Sequence, residues 1–211
     1  LLRARPLLAY YVQRCGDAGL LPLVENMPPV LRMRQGAYVY SVIGVETDEF
    51  LTLVAEFPTL RLTVDLSHAQ LYVNALRLVP STVAAAGKDP GLGALLRFLQ
   101  RRRGPATLED YVTALMPWTA NVHVANASGL LGEGAPYHQG DAQLDSVVAR
   151  LLHTARFLVT ETIEADHDRA VHMREALAAI RRLADRPFPA TTANPPRRSG
   201  ECWRDGKGDV G

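Results

Sequence analysis

The sequence predicts an α/β fold built on a parallel sheet. Three observations lead there: a strand-like apolar segment recurs four times, each recurrence is followed by a helical pattern, and acids or a histidine stand where strand gives way to helix. The first unit reads Leu20–Glu25 as strand, Asn26–Pro29 as a Pro-rich loop and Thr47–Glu56 as a helix ending before Pro58. The second has a strand at Leu60–Asp65, a loop at Leu66–His68 and a helix over Ala69–Leu78. An insertion with helices near Leu92–Arg103 and Leu108–Met116 follows. In the third unit Asn121–Ala125 is the strand, Gly129–Asp141 the loop and Leu144–His153 the helix. The fourth runs from Arg156–Glu161 into a long helix over Asp166–Leu183, capped by Asp166 or Asp168.

Within 211 residues, 47% hydrophobic and 21% charged, the chain holds enough apolar material for one substantial core over residues 1–186. Residues 187–211, rich in Pro, Gly and small polar side chains, read as a flexible tail. Lys plus Arg number 23 against 22 Asp plus Glu, a net charge of +1, so no global field draws the protein to nucleic acid. No apolar run approaches the roughly 20 residues that span a bilayer, which argues against a membrane partner. Cys15 and Cys202 have no pairing or zinc-ligand spacing, and a reducing cytoplasm is the expected compartment.

An eight-stranded βα barrel needs about 250 residues, and only four strands fit here. A doubly wound sheet is the other parallel architecture, but its Gly-rich phosphate loop after the first strand is missing. The expected fold is therefore a partial (β/α)8 barrel. Because Leu1–Cys15 reads as the middle of a helix, the N-terminal half of that barrel is expected to be missing, or supplied by another copy of the chain.

In such a barrel, chemistry sits at the carboxyl ends of the strands. Those ends are Glu25, Asp65, His123 and Glu161, three carboxylates and an imidazole, a donor set suited to Mn²⁺, Co²⁺, Mg²⁺ or Zn²⁺. Asp65 is equally placed to cap the following helix. Alternation along a strand leaves open whether Glu161 or Glu164 points inward.

The runs LPLVENMPP, LTVDLSHAQLY, NVHVANASGLLGEG and FLVTETIEADHDRAVHMREAL resemble the carboxyl half of the xylose-isomerase-like TIM barrels, the superfamily of sugar isomerases and epimerases and of AP endonuclease family 2. The likeness covers roughly residues 1–186, as strands five to eight with their helices. It implies metal ligation by Glu25, Asp65, His123 and Glu161, with Glu25 and Glu161 also exchanging a substrate proton through an enediolate. His68 is implied as a substrate contact or, in nuclease-type members, a further zinc ligand. Where those members carry Asp-x-His, this chain has Pro136-Tyr137-His138. Where many epimerases place an Arg, it has Asn126, Ser128 and the stretch Leu130–Gly134. His68, Asn126 and His138 are the candidate substrate contacts. The expected activity is that of a divalent-metal-dependent sugar isomerase or epimerase acting on a small sugar or polyol. The alternatives are a metal-dependent phosphodiesterase of AP-endonuclease type, or a non-catalytic half-barrel.

Overall fold

A computed structural model describes residues 3–32, 38–41, 43–82, 90–99, 101–102, 104–164 and 169–186. Helix α1 (Arg5–Asp17) leads through a turn, with Gly19 at φ 67°, to β1 (Leu23–Glu25). Then come β2 (Val30–Arg32), β3 (Tyr38–Tyr40), α2 (Thr47–Glu56), β4 (Arg61–Asp65), α3 (Leu66–Thr82) and α4 (Pro90–Leu99). Helix α5 (Leu108–Leu115) and a single 3-10 turn (Met116–Trp118) precede β5 (Thr119–Val124) and the short strands β6 (Asn126–Ser128) and β7 (Gly132–Ala135). The described chain closes with α6 (Leu144–Leu151), β8 (Phe157–Thr160) and α7 (Val171–Ala184).

β1, β4, β5 and β8 form one parallel sheet in that order, so the four expected strands are the four observed. Cross-strand register decides which side chains share a face. Val64, Val122 and Leu158 align, as do Val24 with Leu62 and Val124 with Thr160; Leu62, Val64, Val122 and Val124 are at most 1% exposed beneath the helices. Phe50 of α2, Tyr72 of α3, Tyr111 of α5, Leu151 of α6 and Ile180 of α7 complete that core. The other face carries Glu25, Thr63 and Asn121, then Asp65, His123 and Val159. At its β8 end Phe157 and Val159 are 63% and 46% exposed.

Helix starts follow local chemistry. At α2 the Glu49 carboxylate accepts from the N–H groups of Gly44, Val45 and Glu46, and at α5 Thr107 and Asp110 bond reciprocally, satisfying donors that no helical carbonyl reaches.

Several expectations need correction. Leu66–His68 is no loop: Asp65 caps α3 directly, and strand passes into helix without a spacer. The Gly129–Asp141 loop contains part of the β6–β7 hairpin, and an antiparallel β2–β3 pair follows the Pro-rich Asn26–Pro29 segment. Helix α7 begins at Val171 rather than Asp166; Asp166 and Asp168 lie outside the described residues, as does the 187–211 tail. Among the described residues no helix is long and apolar enough to cross a membrane.

Candidate metal centre

Each strand delivers one side chain to a common point at its carboxyl end. Glu25 ends β1, Asp65 ends β4, His123 lies on β5 and Glu161 directly follows β8, where its N–H bonds the Val124 carbonyl and extends the ladder. Each offers a ligand atom, and these atoms all lie within 4.8 Å of one another. His123 Nδ1 is central: 2.6 Å from Glu161 Oε2, 3.0 Å from Glu25 Oε1 and 3.8 Å from Asp65 Oδ2.

Asp65 caps α3 and at the same time turns its second oxygen toward the cluster. Its Oδ1 accepts the His68 N–H at 2.8 Å as the cap of α3, which leaves Oδ2 facing His123 and His68. Asn26 fixes its backbone, accepting from the Asp65 N–H at 2.7 Å and donating to the Asp65 carbonyl at 3.0 Å. These two bonds tie the end of β1 to the end of β4, so Glu25 and Asp65 are held side by side.

The electrostatics follow from burial among like charges. Asp65 is 3% exposed; burial pushes its carboxyl up to about 6, partly offset by the His68 charge and backbone bond, with Glu25 and Glu161 adding to the rise. Glu25 is lowered, chiefly by its hydrogen bond to His123. The same bond is the main reason that the His123 imidazole is raised. The hydrogen bond to Glu25 places a proton on His123 Nδ1, among the carboxylates.

His68 stands beside the cluster in the first turn of α3. Its Nδ1 donates to the Asn26 carbonyl at 2.7 Å and its Nε2 lies 3.0 Å from Glu133 Oε1, while Glu25 and Asp65 oxygens are 3.9 Å away. Burial alone would lower this imidazole, but the Glu133 bond and the Asp65 charge outweigh it and push it up to about 9. Glu133 had no part in the expected site. It comes from β7, where Gly134 at φ 67° donates its N–H to the Ser67 hydroxyl and accepts from Ile163.

The other candidates have different surroundings. The Asn126 amide is fully used, donating to the Tyr137 and Ala142 carbonyls and accepting from the N–H groups of Ala127 and Ala142, so it pins the 137–142 segment instead of offering a free group to substrate. His138 is exposed and packs edge-on against Tyr137, with ring centroids 4.8 Å apart. Glu161 joins the cluster, while Glu164, 6% exposed, accepts from Thr162 and from the N–H groups of His172 and Met173 and caps α7. Asn121 touches His123 from the side away from the carboxylates. It too was missed, although its position two residues before His123 on one strand places it on the same face.

No family model and no curated protein matches the sequence. Among solved structures, the crystal structure of a D-tagatose 3-epimerase-like protein matches with a TM-score of 0.54 and 16% identity over 84% of this chain. The chain spans 53%, about half, of that protein's length. The likeness is one of fold, and it supports the βα-barrel class read from the four parallel strands.

Proposed function

We propose that the chain is part of a divalent-metal-dependent sugar isomerase or epimerase that moves a proton at a carbon next to a carbonyl. The observation that carries this reading is the convergence of Glu25, Asp65, His123 and Glu161 at the carboxyl ends of four parallel strands. Three carboxylate oxygens and one imidazole nitrogen suit Mn²⁺, Co²⁺, Mg²⁺ or Zn²⁺, and a buried Asp65 among like charges favours a cation there. When bound, such a cation supplies a Lewis acid for neighbouring substrate oxygens.

Glu25 and Glu161 come from the two outermost strands and approach the cluster from opposite sides. A substrate lying over the cluster meets one carboxylate on each side. One takes the carbon-bound proton and the other returns it, as general base and general acid. His68, charged at neutral pH, holds its protons against the Asn26 carbonyl and Glu133, and a substrate oxygen that displaces Glu133 receives the Nε2 proton as a hydrogen bond. The D-tagatose 3-epimerase-like neighbour supports a sugar as the substrate class.

Incubation with Mn²⁺ and a panel of ketoses in deuterated water tests this reading. The wild-type chain exchanges the proton next to the carbonyl for deuterium, and Glu25→Gln abolishes the exchange while the circular dichroism stays unchanged. Near-full exchange by Glu25→Gln would reject the assignment.

We also propose that the chain forms half of a closed eight-stranded barrel. Parallel sheets are normally covered on both faces. Here the helical core covers one face, Phe157 and Val159 are exposed on the other, and β1 and β8 have no further strand partner among the described residues. Self-association in gel filtration, relieved by a polypeptide that supplies four more β/α units, is the expected behaviour; a stable monomer counts against it.

A further inference from the structure

We propose that Asn121 is a positioning residue that serves both tautomers of His123, and that its amide oxygen fixes the imidazole for metal ligation through Nδ1. The inference rests on the metal-centre reading above. Asn121 and His123 are two residues apart on β5 and share the face that carries the cluster. Nδ1 of His123 points among the carboxylates, so the opposite nitrogen is the one that the strand itself must control. Asn121 Nδ2 lies 3.1 Å from His123 Nε2 and 3.4 Å from the hydroxyl of Thr63, its register partner on β4. Its Oδ1 is buried and has no hydrogen-bond partner.

A buried amide oxygen without a donor is costly, and such atoms in native proteins call for an explanation. The two chemical states of His123 supply one. With the proton on Nδ1, shared with Glu25, the bare Nε2 accepts from the Asn121 NH₂ group, which fits the 3.1 Å between Asn121 Nδ2 and His123 Nε2. An imidazole that ligates through Nδ1 carries its proton on Nε2 and needs an acceptor there. A half-turn of the amide brings Oδ1 to that N–H and to the Thr63 hydroxyl, which donates as readily as it accepts. Asn meets both demands. Asp meets only the second, and Leu neither.

Calorimetric titration of the wild-type chain, Asn121→Leu and Asn121→Asp with Zn²⁺, together with long-range proton–nitrogen NMR of the histidine rings, tests this. Asn121→Leu is expected to bind Zn²⁺ about 10–100-fold more weakly, the usual loss when a ligand's outer partner is removed, while Asn121→Asp binds within about threefold of wild type or more tightly. The Zn²⁺-loaded wild-type spectrum should show His123 protonated at Nε2 and bound through Nδ1. Leu binding as tightly as Asn, Asp binding as weakly as Leu, or ligation through Nε2 would each overturn the inference. The wild-type spectrum decides the matter even if Asn121→Leu fails to fold. Zn²⁺ binding that ignores Asn121 removes this inference and leaves the metal centre standing, whereas no Zn²⁺ binding by the wild type removes both.

Discussion

Replacing Asp65 by Asn should stabilise the metal-free protein while weakening its hold on metal. The asparagine keeps an oxygen for the His68 N–H, so the cap of α3 survives, and its NH₂ group can donate toward Glu25 or Glu161. What is lost is a buried negative charge. A carboxyl raised from an ordinary 3.8 to about 6 penalises the folded state by about 3 kcal/mol once ionised. Because the shift is upward, the penalty is complete above about pH 6 and disappears as the pH falls below the unfolded-state value near 4. Urea unfolding in a chelator should therefore find Asp65→Asn more stable by up to about 3 kcal/mol near pH 7.5, with the gap closing toward pH 4. Zn²⁺ at about 1,000 times its dissociation constant should reverse the order, since it adds about 4.1 kcal/mol to the chain that binds it, more than the gap of about 3 kcal/mol. An Asp65→Asn chain no more stable than wild type at neutral pH, or a gap that does not depend on pH, would show that the Asp65 charge does not destabilise the metal-free fold.

Two further outcomes follow from the elements that support the site. Gly134→Ala should cost about 1–2 kcal/mol in urea unfolding for the left-handed backbone alone, and more from contact, since a Cβ there would stand 2.6 Å from Ile163 Cγ1. Glu164→Ala should lower the thermal midpoint. Burial works to raise the Glu164 carboxyl, but the bonds from Met173, His172 and Thr162 outweigh it and hold the group below its ordinary range. Its contribution is therefore present above the unfolded-state glutamate value and is lost as the pH falls through the lowered one, so the wild-type and variant midpoints should converge in acid.

The four strands, the Thr47–Glu56 helix and the four cluster residues were legible because apolar runs and the acid at each strand end are local signals. What escaped was set by contacts between segments. The β6–β7 hairpin lies in a Gly-rich stretch whose strand character comes from packing on α3, Ile163 and Ser67, and so Glu133, flanked by two glycines, read as loop. Helix α3 starts three residues early because Asp65 is both strand end and cap. At the start of α7 the acceptors come from Glu164, eight and nine residues before His172 and Met173, beyond the three-residue spacing of a local cap. The choice between Glu161 and Glu164 needed the register of His123 with Val159, which two-residue alternation carries on to Glu161. Asn126 resembled a substrate contact because sequence cannot show that all its hydrogen bonds are already made.

Anomalous diffraction from a crystal soaked in Zn²⁺ locates any cation bound among Glu25, Asp65, His123 and Glu161. One strong peak is expected, with His123 Nδ1 and oxygens of Glu25, Asp65 and Glu161 at about 2.0–2.2 Å, the ordinary range for zinc with nitrogen and carboxylate ligands. A peak elsewhere, with these four side chains still bonded only to one another, would contradict ligation by this cluster.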